Sequence, residues 1–131
     1  MINLVILGST GSIGSQALAL ADMYPELIRI RGIAADTGGE AFKAQIAKYK
    51  PDYAALANKD AARNIDSCGT KLLSGPEGIC ELARLDSADM VLVSIVGIAG
   101  LDAVIAALKA GKRVALAIKE ALVAGGECVM R

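Results

Sequence analysis

An open, mostly parallel α/β sheet, doubly wound with helices on both faces, is the fold class this sequence predicts. Three observations point to it. Short apolar runs rich in Val, Ile, Leu and Ala alternate along the chain with stretches of helical spacing. Hydrophobic residues make up 54% of the 131 residues but aromatics only 3%, so the core is packed from small and branched aliphatics. That bias suits helices on a parallel sheet better than a β-sandwich. Finally, the first apolar run passes straight into Gly8-Ser9-Thr10-Gly11-Ser12-Ile13-Gly14, a glycine-rich turn leading into a helix.

The elements follow in order. Ile2 to Leu7 is a strand apolar enough to be buried, and Gln16 to Tyr24 is a helix carrying Ala17, Leu18 and Ala21. Ile28 to Ala35 is a second strand with Gly32 inside it, closed by the loop Asp36-Thr37-Gly38-Gly39. Glu40 to Tyr49 is a helix with Phe42, Ile46 and Tyr49 on one face, and Pro51 stops it. A strand at Tyr53 to Ala57, a polar helix at Lys59 to Ile65 and a strand at Lys71 to Leu73 come next. Ser74-Gly75-Pro76 then opens a helix through Leu85, with Pro76 tolerated in the first turn. Met90 to Val96 is predicted as a central strand buried on both faces, and Gly97 and Gly100 flank the turn into a helix at Leu101 to Lys109. Gly111 sits where a C′ glycine is expected, Arg113 to Ala117 is the last strand, and a further helix begins at Ala121. Right-handed crossovers place the C-terminal ends of all parallel strands on one edge, so the glycine loop, Asp36, Gly97 and Lys119 are expected to line one crevice. The whole of residues 1–131 reads as one domain, without repeat or linker.

A strand, a glycine turn and a helix N-terminus converge backbone N–H groups and a positive dipole end on one point, which favours phosphate. The G-x-x-G-x-x-G spacing suits a dinucleotide pyrophosphate, although a turn that merely packs tightly carries the same letters. No G-x-x-x-x-G-K-[ST] or Y-x-x-x-K is present, which argues against a P-loop and against short-chain dehydrogenase chemistry. Lys119 and Glu120 follow a strand end at the ligand edge. They are either a solvated strand terminus or groups for an anionic substrate and a ribose hydroxyl respectively. Lys plus Arg and Asp plus Glu both number 14, so nucleic acid is not an expected partner. There is no His, and Cys68, Cys80 and Cys128 form no C-x-x-C pair, which removes the usual zinc and Ser-His or Cys-His machinery. The odd, scattered cysteines and the short, interrupted N-terminal apolar run point to a reducing cytoplasm, with no membrane or secretory segment.

Several motifs in register then narrow the reading. Gly8 to Gly14 (GSTGSIG), Val96 to Leu101 (VGIAGL) and Ala110 to Val123 (AGKRVALAIKEALV), with Leu73-Ser74-Gly75, Gly78 and Cys80 to Ala83 between them, resemble the 1-deoxy-D-xylulose 5-phosphate reductoisomerases along the whole chain. The resemblance implies a Rossmann-like N-terminal NADPH-binding domain of a homodimeric oxidoreductase and isomerase. Such an enzyme converts 1-deoxy-D-xylulose 5-phosphate to 2-C-methyl-D-erythritol 4-phosphate in non-mevalonate isoprenoid biosynthesis. By that resemblance Thr10, Gly11, Ser12 and Ile13 contact cofactor, Glu120 is a cofactor-contacting acid and Lys119 a substrate-contacting lysine. Mg or Mn would be held by carboxylates in a catalytic domain beyond this chain. Hence no catalytic or metal-binding residue is expected within it, and the fragment alone is expected to be inactive. Residue 131 is expected to fall inside a helix that continues into that missing part.

Two departures from the family pattern matter. Asp36, Thr37 and Gly38 stand where the resemblance leads one to expect Gly, a variable and often basic residue, and Asn. An acid there accepts a hydrogen bond from a free ribose 2′-OH and repels a 2′-phosphate, so Asp36 points to NADH tolerance. The alternative is that Asp36 turns outward and caps its own loop. Ile118 replaces an Asn on the nicotinamide side, where isoleucine offers no hydrogen bond, and Ala121 replaces a common Ser. A free-standing NAD(P)-binding module without chemistry of its own is the rival reading.

Overall fold

Each apolar run becomes a strand of one six-stranded sheet in the computed structural model, which describes residues 2–36, 39–63, 69–95 and 98–116. The elements are β1 (Ile2–Leu7), α1 (Ser12–Met23), β2 (Ile28–Ala35), α2 (Gly39–Tyr49), β3 (Tyr53–Leu56) and α3 (Lys59–Arg63). After them come β4 (Lys71–Ser74), α4 (Gly75–Ala83), β5 (Met90–Val93), α5 (Ile98–Lys109) and β6 (Arg113–Leu116). The order across the sheet is β4-β3-β2-β1-β5-β6, and every pairing is parallel rather than mostly so. The chain steps outward from β1 to β4. It then returns through α4 to lay β5 on the other side of β1, so the winding reverses between β1 and β5.

Alternation along β1 divides the core. Val5 and Leu7 face one layer with Ile79, Leu82 and Ala83 of α4 and Ala103, Val104 and Ala107 of α5. Leu4 and Ile6 face the other with Leu18 and Ala21 of α1 and Phe42 and Ile46 of α2. Gly32 answers a packing demand in β2: a Cβ there would lie 2.6 Å from Leu82 Cδ1. Beside it the β1–β2 register slips between Leu4 and Val5, which leaves Arg31 without a register partner on β1, while its side chain bonds Asn3 and Asp52 where the strands begin.

Several expected boundaries move for physical reasons. Helix α1 starts at Ser12 rather than Gln16, because the second half of the glycine motif is itself its first turn. Helix α5 starts at Ile98, so Gly100 lies inside the helix instead of flanking a turn; a Cβ there would collide with the Ile95 carbonyl. Strand β5 ends at Val93, where Ser94 turns to bind β1, and it is interior without being central. Val91 and Val93 are fully buried while Met90 and Leu92 are only partly so, which corrects the expectation of burial on both faces. Ser74 belongs to β4 and serves as the N-cap position of α4, which ends at Ala83. The helix expected from Ala121 lies outside the described residues.

Candidate functional site

The register brings three strand ends together, with Leu7 opposite Ala34 on one side and Val93 on the other. Directly beyond Leu7, Gly8 takes a φ of +99°, and a Cβ there would lie 2.5 Å from Ser94 Oγ. The N–H groups of Gly8 and Ser9 both donate to the Ala34 carbonyl, at 2.7 and 2.9 Å, pinning the loop to the end of β2. Gly11 N–H closes the turn on the Gly8 carbonyl at 3.2 Å. Gly14 must be glycine: a Cβ would run into the Gly8 carbonyl oxygen and lie 2.7 Å from Ser9 Cα, so the helix rests directly on the loop. Gly11 differs. A Cβ there would meet only the Gly8 oxygen, at an ordinary 3.5 Å, so that side is not filled by the described residues.

Helix α1 begins at this point with Gly11 as N-cap, no side-chain capping bond and no acid in its first turn. Its positive end is therefore not neutralised by a capping side chain or an acid of its own first turn. Thr10, Gly11, Ser12 and Ile13 are all exposed around it. The carbonyls of the loop are turned inward and tied. Ser94 Oγ donates to Leu7 O at 3.0 Å or Gly8 O at 3.2 Å, and Ser9 O accepts Gln45 Nε2 at 2.9 Å and Ser15 Oγ at 3.4 Å. With carbonyls held in and N–H groups left out, the surface presented to solvent suits an anion. Ser94 and Gln45 are the residues sequence reasoning missed. Ser94 could have been found as the lone hydroxyl in the apolar run MVLVSIV, whereas nothing in the spacing of α2 marks Gln45.

Asp36 stands exposed at the end of β2, two residues beyond the Ala34 carbonyl that holds the loop, and its own carbonyl accepts Asn58 N–H at 3.0 Å. The structure thus brings Asp36 and the glycine loop to the same edge. Thr37, Gly38, Gly97, Ile118, Lys119 and Glu120 lie outside the described residues. A cavity of about 1050 Å³ is at the opposite edge, lined by residues such as Lys50, Asp52, Thr70, Lys71 and Arg84. Burial, foremost, pushes the Cys80 thiol up, which makes it a poor nucleophile. Among the described residues no group of three or more Cys, Asp or Glu could hold a metal ion, and no helix is long and apolar enough to cross a membrane.

Comparison with known proteins adds the lineage. The family model of 1-deoxy-D-xylulose 5-phosphate reductoisomerase matches residues 4–126. The protein of that name from Photobacterium profundum is 43% identical over 133 residues, covering 97% of this chain and 34% of its own length. That of Acaryochloris marina is 43% identical over 134 residues, with 97% and 33% covered. A crystal structure of DOX-P reductoisomerase in complex with NADPH, fosmidomycin and magnesium superposes with a TM-score of 0.88 at 34% identity, over 99% of this chain and 33% of that one. The Zymomonas mobilis reductoisomerase in complex with NADPH gives 0.86 at 27% identity, over 98% and 35%. This chain spans about a third of the length of the curated relatives it matches.

Proposed function

Because the chain belongs to the 1-deoxy-D-xylulose 5-phosphate reductoisomerase family, we propose that residues 1–131 form its dinucleotide-binding domain and hold NADPH. The observation that carries this reading is the uncapped, acid-free N-terminus of α1, seated on an anchored glycine loop where the winding of the sheet reverses. The open side of Gly11 fits a pyrophosphate approaching the backbone. Thr10, Gly11, Ser12 and Ile13 would hold that pyrophosphate, and Asp36, Thr37 and Gly38 would meet the adenosine ribose. Ile118 and Glu120 would lie on the nicotinamide side, with Lys119 toward substrate. Bound there, NADPH supplies the hydride of the reduction.

For the whole protein the reading is conversion of 1-deoxy-D-xylulose 5-phosphate to 2-C-methyl-D-erythritol 4-phosphate, by a cytoplasmic homodimer serving isoprenoid synthesis. The chain spans about a third of the length of its relatives, and by the family resemblance we place Mg or Mn, and the catalytic residues, in the part of that length it does not span. The test is calorimetric titration of the chain with NADPH and NADH side by side. NADPH is expected to bind, with its preference over NADH reduced below about tenfold by the Asp36 carboxylate. Failure to bind either nucleotide overturns the cofactor reading; a larger NADPH preference overturns only the role of Asp36. A free-standing NAD(P)-binding module is the second reading, favoured by Ile118, which cannot hydrogen-bond a nicotinamide amide. The mass of the native product separates the two.

A further inference from the structure

Gln45 lies on α2, 36 residues from Ser9 in sequence, yet its amide nitrogen donates to the Ser9 carbonyl at 2.9 Å. The acceptor is a carbonyl oxygen, so the amide must present its NH₂ there; turned over, it would set oxygen against oxygen. Ser9 itself is fully buried. Among the described residues neither its Oγ nor Gln45 Oε1 has a hydrogen-bond partner, so no other hydrogen bond of these two atoms accounts for the arrangement. The weaker second donor to the same carbonyl, Ser15 Oγ at 3.4 Å, comes from an exposed residue.

The consequence falls on the next amide. In a trans peptide the C=O and the following N–H point in opposite directions. A Ser9 carbonyl drawn inward by Gln45 therefore turns the Thr10 N–H outward, and no backbone carbonyl among the described residues accepts that N–H. Resting on the cofactor reading above, we propose that Gln45 is a positioning residue: it fixes the Ser9–Thr10 peptide so that the Thr10 N–H is aimed at the pyrophosphate. It does so from the helix that follows the Asp36 loop, so the pyrophosphate grip and the ribose side of the site are coupled through one side chain.

The test pairs calorimetry with amide NMR on the 131-residue chain. NADPH and ADP-ribose, which keeps the pyrophosphate and lacks nicotinamide, are the probes. In the unaltered chain both probes are expected to shift the Thr10 and Ile13 amides. Gln45→Met, similar in volume but without a donor, is expected to weaken NADPH about tenfold. It should abolish the Thr10 shift while the Ile13 shift, which depends on the helix end, persists at saturation. Gln45→Glu, isosteric but presenting an oxygen to the carbonyl, should do the same and stands in if the Met variant does not fold. An unaltered chain that binds neither probe overturns the cofactor reading and this inference with it. Binding that leaves Thr10 unshifted overturns the inference alone. So does a variant that binds within about twofold, or one in which Thr10 and Ile13 lose their shifts together, the mark of a merely structural role.

Discussion

The two edges of the sheet solve opposite problems. Where the strands begin, side chains answer one another: Asn3 donates from its backbone N–H and its amide to Asp89, at 3.0 and 2.9 Å. Arg31 donates to Asn3 Oδ1 at 3.0 Å and pairs with Asp52 at 3.0 Å, while Lys112 Nζ donates to the Ala88 carbonyl at 2.7 Å. Where the strands end, side chains from Ser94 and Gln45 are spent on loop carbonyls, and backbone N–H groups are what remains facing out. A cavity of about 1050 Å³ belongs to the first edge and the anion-binding geometry to the second. If the dinucleotide binds as proposed, it is the orientation of peptide groups and not volume that marks its place. Substitutions at the strand-end edge should change binding and stability together, whereas those at the other edge should change stability alone.

The largest effect expected on that contrast is from Gly14→Ala. Its Cβ would collide with the Gly8 carbonyl, a backbone atom already held by Gly11 N–H. Relief requires the helix to lift from the loop, which costs about 3 kcal/mol. It should also cut NADPH affinity by at least about tenfold, because the two sets of N–H groups no longer converge. Urea unfolding and calorimetry read the two effects. Normal affinity in a folded Gly14→Ala chain would break the link between loop packing and binding.

Arg31→Met tests the other edge. It removes the pair with Asp52 and the bond to Asn3, both partly exposed, so about 1 kcal/mol of stability should be lost after allowance for solvent screening. NADPH affinity should stay within about twofold, since the change is at the far end of the strands. A tenfold loss of affinity would show that the two edges are coupled through β1 and β2 rather than independent.

What could be read from the sequence divides along the same line. Strands β1 and β2 keep their expected bounds because an apolar run closed by glycine or Asp-Thr-Gly-Gly is a local signal. Phe42 and Ile46 are fully buried, as their helical spacing indicates. The glycine loop was legible as a motif, but its entry into α1 was not, because Gly14 is required by contact with Gly8 rather than by any turn signal. Gln45 was invisible for a deeper reason. Its partner lies on a different βα unit, and no periodicity within α2 distinguishes a glutamine that reaches a loop from one that meets water. Lys119 and Glu120 were legible from their place after a strand and Ile118 only from resemblance, and all three lie outside the described residues.

The smallest effect, and the sharpest test of how far the strand-start edge is electrostatic, is acid sensitivity at Asp89. The Asn3 backbone N–H first, then the Asn3 amide, hold its carboxyl below the ordinary carboxylate value, with the Lys112 charge adding to them. A carboxyl that is more acidic folded than unfolded contributes stability at every pH above the unfolded value, and that contribution is lost as pH falls through the folded one. Its window therefore opens below about pH 4. Asp22, drawn down chiefly by its hydrogen bond from Lys48 and then by that from Tyr49, titrates in the same direction. Asp89→Asn still offers an oxygen to both Asn3 donors, so neutral-pH stability should barely change, while the fall in urea midpoint between pH 5 and pH 3 becomes shallower without vanishing. The residual slope should shrink again when Asp22→Asn is added. If Asp89→Asn instead loses stability in parallel with the unaltered chain across that range, the Asn3–Asp89 contact is geometric rather than electrostatic. The strand-start edge would then be held, like the glycine loop, by hydrogen bonds that do not depend on charge.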